Sequence, residues 1–163
     1  MIYIITTGGT IEGLEYDNEE NKPQDVNVNI MEFLKTANVL FEYSIDNAFC
    51  KDSRFITPED RKILAEKIQS TKEKKILITH GTLSMMETAK YLGKLNLDKT
   101  IVLVGSFVLG SEKNTDAPFN LGYAVCALQN LGNGVFIAMN GSTFSWKNVE
   151  KNMDLTRFEG NVN

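Results

Sequence analysis

Apolar and β-branched residues gather in five short runs, Ile2 to Thr6, Leu40 to Ile45, Lys75 to Thr79, Thr100 to Val104 and Val135 to Met139. Most are apolar at successive rather than alternate positions. That pattern predicts strands buried on both faces, as in a parallel sheet. Between the runs the period lengthens. Ile30, Phe33, Leu34 and Ala37 recur at i, i+3, i+4 and i+7, which turns one helical face toward a sheet, with Asn29 as the N-cap. Thr57-Pro58-Glu59-Asp60 opens the next helix with a capping hydroxyl, a proline at its first position and acids at the positive end of the dipole; Leu64 and Ile68 then face inward. Ser84 and Glu87 stand at capping-box spacing directly after the third run. Asp116 and Pro118 begin a helix that reaches about Asn130.

This β-α-β-α-β-α-β-α-β alternation predicts one α/β domain over residues 1–163: a doubly wound, mainly parallel sheet with helices on both faces. No repeat or internal linker interrupts it. The stretch from Glu15 to Val28 is polar and rich in asparagine, and reads either as a solvated connection or as an active-site loop.

A hydrophobic share of 42% with 23% charged residues is that of an ordinary globular chain, large enough to bury its own core. The net charge of −4 argues against nucleic acid as a partner, since such surfaces are usually basic. With one histidine and two cysteines outside ligand spacing, no metal site is expected; Cys50 and Cys126 read as reduced and packed. The opening MIYIITTGG lacks the basic start and cleavage site of a secretory signal, and no apolar run reaches membrane-spanning length. The expectation is a cytoplasmic protein with no membrane partner.

Ligands of open parallel sheets bind beyond the carboxyl ends of the strands. Thr7-Gly8-Gly9-Thr10-Ile11 follows the first strand there, His80-Gly81-Thr82-Leu83-Ser84 the third and Gly105-Ser106 the fourth. Glycines let backbone amides approach an oxyanion, and a neighbouring threonine can attack an acyl carbon once a base, such as a lysine of lowered pKa, activates it. Each turn alone also reads as a plain strand end. His80, at a strand-turn junction, reads as a packed histidine, Phe144 and Trp146 as core contributions, and the Lys72-Glu73-Lys74-Lys75 run as a solvated turn.

The combination says more. TGGTI at 7–11, KDSRFITPEDR at 51–61, ITHGTLSMMETAKYL at 78–92, IVLVGS with NTDAPFNLGYAV at 101–125, and AMNG followed by Lys151 resemble, in order, the amino-terminal domain of the asparaginases. The chain is most similar to the short single-domain members, which lack the carboxy-terminal domain. The resemblance implies an amidohydrolase that converts a small amino-acid amide, L-asparagine foremost, to acid and ammonia without cofactor or metal. It implies Thr10 as nucleophile, Thr82 and Lys151 as its catalytic partners, and Tyr16 as the tyrosine of a mobile loop. It also implies a substrate site built from Gly9, Asp52, Ser53, Arg54, Gly81 and Leu83. Ser53 matches the serine that holds the α-carboxylate, and Arg54 offers a second partner for a carboxylate. A homodimer or homotetramer follows from the neighbouring subunit that encloses the family's site.

Leu83 departs from the pattern. Family members carry an aspartate after the second threonine, where it meets the substrate ammonium. A leucine accepts no hydrogen bond, which opens the alternative of a catalytically weakened or inactive asparaginase-like protein that binds a small molecule.

Overall fold

The computed structural model describes residues 1–15 and 30–160. Tyr16, Asn29 and all of the polar stretch between them lie outside the described residues. A six-stranded sheet runs in the order β2 (Tyr43–Asn47), β1 (Ile2–Thr6), β3 (Lys75–Thr79), β4 (Thr100–Val104), β5 (Gly134–Met139) and β6 (Ser142–Ser145). The first five are parallel and β6 is antiparallel to β5. Helices α1 (Ile30–Thr36), α2 (Pro58–Ser70), α3 (Met85–Gly93) and α4 (Ala117–Asn130) link them, and a separate hairpin of β7 (Glu150–Asn152) and β8 (Arg157–Glu159) follows. This is the mainly parallel α/β fold that the apolar runs predict.

The central strands are apolar throughout because both their faces are covered. Ile4, Ile5, Ile76, Leu77, Ile78, Ile101 and Leu103 are all fully buried, each worth roughly 1.5–3 kcal/mol relative to exposure. Leu64 and Ile68 supply the inner face of α2. At its start Thr57 and Asp60 form a reciprocal capping box with Pro58 in the first turn. Lys75 is a correction to the solvated-turn reading of its run: its ammonium donates to the carbonyls of Leu128, Gln129 and Leu131 and so caps the end of α4.

Helices α2 and α3 contact each other, whereas α1 and α4 flank a common apolar groove of about 240 Å³ lined by Phe33, Leu34, Leu121 and Val125. The step from β1 to β2 runs one way along the sheet, and the steps to β3, β4 and β5 run the other. Right-handed crossovers therefore put α1 on one face and α2 and α3 on the opposite one. Finding α4 beside α1 means that the β4-α4-β5 crossover runs against the usual hand. Its connecting segment from Gly105 to Asp116 has to pass over the carboxyl edge of the sheet to change face.

Four local expectations need correction. The second strand spans Tyr43–Asn47 rather than Leu40 to Ile45: Leu40 is 100% exposed, and pairing with β1 begins where Ile2 meets Tyr43. Strand β6 and the β7-β8 hairpin were not predicted, because short half-exposed strands such as Ser-Thr-Phe-Ser carry no apolar run. Ser84 is the N-cap of α3 but makes no capping bond; its hydroxyl donates instead to the Ser53 carbonyl at 2.6 Å. Cys50 and Cys126 are exposed free thiols rather than packed ones, one in the bend after β2 and the other on the outer side of α4.

Candidate active site

Three segments meet beyond the carboxyl ends of β1, β2 and β3, and they meet through glycines. Gly8 and Gly9 take φ values of 92° and 84°, a left-handed backbone that lets the chain leave β1 and enter a single 3-10 turn over Thr10–Glu12. A Cβ on Gly9 would lie 2.5 Å from the Gly81 nitrogen, so the two glycine-threonine turns touch backbone to backbone. A Cβ on Gly81 would lie 2.6 Å from Ser53 Oγ. Side chains at either position would push the segments apart.

Thr10, Ser53 and Thr82 are all buried within this junction. Lys151, on β7, donates from Nζ to Thr82 Oγ1 at 2.9 Å across 69 residues of sequence. Its ammonium also lies 5.2 Å from the centre of the Phe107 ring. Burial holds the Lys151 pKa below the usual lysine range, partly opposed by the charge of Glu87. A lysine so placed exchanges a proton with a hydroxyl more readily than one in water. The crossing segment after β4 roofs the site. Asp116 accepts from the amides of Phe107 and Val108, and Gly110 N donates to the Thr10 carbonyl at 2.9 Å.

Asp52 caps the turn Ser53–Phe55, accepting from Arg54 N at 2.8 Å and from the Arg54 guanidinium at 2.8 and 3.0 Å. The carboxylate that Arg54 engages is thus one from its own turn. Ser53 Oγ accepts from Leu83 N at 3.2 Å. The Leu83 side chain is 36% exposed, at the rim rather than inside. Of the expected site residues, Gly9, Thr10, Asp52, Ser53, Arg54, Gly81, Thr82, Leu83 and Lys151 come together; Tyr16 lies outside the described residues.

His80 is buried and neutral. Its Nδ1 lies 2.7 Å from the Gly81 carbonyl and Nε2 2.9 Å from Thr88 Oγ1, and burial pushes its pKa down to about 4. The carbonyl can only accept, so Nδ1 is the protonated nitrogen and the ring serves to fix the turn. Phe144 and Trp146 are half-buried against the core, the Trp146 ring covering Gly93.

Two residues of the junction escaped the sequence reading. Phe107 follows the glycine-serine pair after β4, and nothing in its sequence context sets it apart from other apolar residues. Glu12 belongs to none of the quoted motifs, yet it is 3% exposed. Its Oε1 accepts from Gly8 N at 3.1 Å and from Thr79 Oγ1 at 2.5 Å, and burial raises its pKa to about 7. The sequence signal was slight: an acid set between Ile11 and Leu14 just after the glycine turn. Among the described residues no group of three or more His, Cys, Asp or Glu is arranged to hold a metal, and no helix is long and apolar enough to cross a membrane.

Comparison with known proteins shows the family of the whole domain. Residues 1–159 match the family model described as the asparaginase N-terminal domain. The glutaminase-asparaginase of Acinetobacter glutaminasificans is 30% identical over 170 residues, covering 94% of this chain and 50% of the relative. L-asparaginase 2 of Escherichia coli (strain K12) is 32% identical over 166 residues, covering 92% and 46%. The crystal structure of a probable cytoplasmic L-asparaginase from Campylobacter jejuni aligns with a TM-score of 0.82 at 29% identity, over 98% of this chain and 52% of that one. The chain spans about half the length of the relatives it matches.

Proposed function

This chain belongs to the asparaginase family through its amino-terminal domain, and from that premise we propose that it is a threonine amidohydrolase that releases ammonia from a small amino-acid amide, L-asparagine first. The Thr10 hydroxyl attacks the amide carbon and yields a tetrahedral oxyanion. Its proton passes through the Thr82-Lys151 pair to the leaving nitrogen, which departs as ammonia and leaves an ester on Thr10. Water then attacks the ester, returns a proton to Thr10 and frees the acid. Backbone amides of the glycine-threonine turns offer donors to the oxyanion, that of Gly8 excepted because Glu12 holds it. Ser53 meets the substrate carboxylate, with Arg54, tethered to Asp52, beside it. No step calls for a cofactor or a metal.

One observation carries the reading: the 2.9 Å hydrogen bond from Lys151 to Thr82, in a turn that touches the one bearing Thr10. Ammonia release from L-asparagine and L-glutamine tests it, with Thr10→Ala as control. Wild-type protein that releases no ammonia from either amide would sink it. A second reading is favoured by Leu83, which puts an apolar side chain at the rim beside Thr82: a weakened or inactive relative that binds a small molecule. Saturable binding of an amino-acid amide without turnover would select it.

The site opens at the carboxyl edge of the sheet, and we infer that a second copy of the chain covers it, in a homodimer or homotetramer. A cytoplasmic location is inferred alongside, by analogy with the probable cytoplasmic L-asparaginase from Campylobacter jejuni.

A further inference from the structure

We propose that Glu12 is a positioning residue of this site: its buried carboxylate clamps the Thr7-Gly8 turn to Thr79 at the end of β3, and so fixes the Thr10 hydroxyl against the second turn. The inference rests on Thr10 being the nucleophile. Three observations on Glu12 and its neighbours support it.

The bonds around Glu12 close a ring about Thr10. Glu12 N and Leu14 N both donate to the Gly9 carbonyl, Gly13 N to that of Thr10, and the Glu12 side chain returns to Gly8 N. Thr10 is the first residue of the turn thus closed. A second pair of bonds ties this ring to β3: Thr7 Oγ1 donates to the Thr79 carbonyl at 2.6 Å, and Thr79 Oγ1 donates to Glu12 at 2.5 Å. Thr79 lies three residues before Thr82, so the clamp joins the strand ends that carry both threonines.

Packing alone does not account for an acid here. Among the described residues no cation pairs with Glu12, since Lys51 is engaged by Asp60 and Arg54 by Asp52. An unpaired buried carboxylate is costly, and an apolar residue of similar size would fill the space without that cost. What the carboxylate adds is acceptor capacity for a backbone N-H and a hydroxyl, which a leucine or methionine lacks.

The clamp is tightest when Glu12 is ionised, because charge-assisted bonds are the stronger ones. Burial brings its pKa to about 7, and the Thr79, Gly8 and Thr7 bonds act the other way. The neighbouring titratable groups are few. Although Cys50 is exposed overall, desolvation of its thiol and then the Glu12 charge push its pKa up. Lys51 is held by Asp60, His80 is neutral between Gly81 and Thr88, and Lys151 lies on Thr82. Raising the pH through about 7 therefore ionises Glu12 and tightens the turn.

Amide NMR of the full chain between pH 5 and 9, with and without Glu12→Gln, tests the clamp, and pH-rate profiles of ammonia release test its effect on Thr10. The Gly8 and Thr10 amide signals are expected to titrate with a midpoint near 7 in wild type and not in E12Q. In E12Q, kcat is expected to fall roughly tenfold or more, as for loss of a charged hydrogen bond. KM should change little and the limb near pH 7 should vanish, while any limb from Lys151 remains. A folded E12Q with the wild-type kcat and profile would overturn the proposal, as would amide signals in wild type that do not titrate. Should wild type release no ammonia, the hydrolase reading fails and the amide titration alone decides on the clamp. Should E12Q not fold, Thr79→Val removes the donor instead: the midpoint is expected to rise, and an unmoved midpoint overturns the clamp.

Discussion

Leu83→Asp is the most direct test of what the altered turn has done to the site. Leu83 is 36% exposed and its own N-H already holds Ser53 Oγ, so an aspartate at this rim keeps its backbone bond and places a carboxylate partly in water. Ionisation there costs little, unlike at Glu12. A hydrogen bond from a substrate ammonium to that carboxylate is worth roughly 1.5–3 kcal/mol, or about 10- to 100-fold, and partial hydration puts the gain at the lower end. Ammonia release from L-asparagine, measured as kcat/KM, is expected to rise about tenfold. Succinamate, which has the same amide and carboxylate but no ammonium, should show no such gain. Thr10→Ala or Lys151→Ala in the same background should abolish it. Thermal melting is followed in parallel. A folded variant whose turnover and affinity for asparagine are unchanged would refute the reasoning and show a pocket rebuilt for something else.

Gly93→Ala puts a methyl 2.4 Å from Cε2 of the Trp146 ring, and urea unfolding should show a loss of roughly 1–3 kcal/mol. Thr57→Ala removes one half of the capping box and is expected to cost about 1 kcal/mol in the same assay. Stability should respond to pH through two buried groups of opposite sign. The raised pKa of Glu12, from 4.5 to about 7, favours the folded state by roughly 3 kcal/mol below pH 4.5, a contribution lost as pH rises through 7. The lowered pKa of His80, from 6.5 to about 4, gives a similar contribution that is full above pH 6.5 and lost as pH falls toward 4. Urea melts across pH 4 to 8 should therefore be steeper in E12Q than in wild type, because the Glu12 half of the compensation is gone; parallel curves would contradict this. Light scattering at high concentration is expected to give a dimer or tetramer, and only monomer would refute the second copy.

The strands buried on both faces were legible because nothing in them is polar enough to point anywhere else. The edges were not. Strand β2 was placed too early because Leu40 and Phe41 look like core, whereas its true register is set by pairing with Ile2 to Thr6, which local sequence does not encode. Asn140-Gly141, both at positive φ, make the two-residue turn from β5 to β6, and that hairpin signal was in the sequence but was read only as part of a motif. Ser84 shows the limit of a local rule: the capping spacing is present, yet its hydroxyl is oriented by donating to the Ser53 carbonyl of another segment and accepts no helix N-H. In the site, the contact between Lys151 and Thr82 joins residues 69 apart and was expected only through the family resemblance. Glu12 was missed because burial, not residue type, makes it unusual.

Lys151 is carried by an element much weaker than the rest. Strands β7 and β8 have three residues each and, among the described residues, pair only with one another; Phe158 N bonds to Asn140 Oδ1, and the Phe158 ring sits 6.0 Å from that of Phe107. An isolated two-stranded hairpin is marginal in water, so its ties to the rest of the domain, the buried Phe158 ring among them, decide how long the lysine stays in place. Amide hydrogen exchange should then find two levels of opening, with Lys151 and Phe158 exchanging well before Ile78 or Leu103 in the sheet. On heating, catalysis would be lost at one temperature and the fold at a higher one, with an intact sheet and an absent lysine between them.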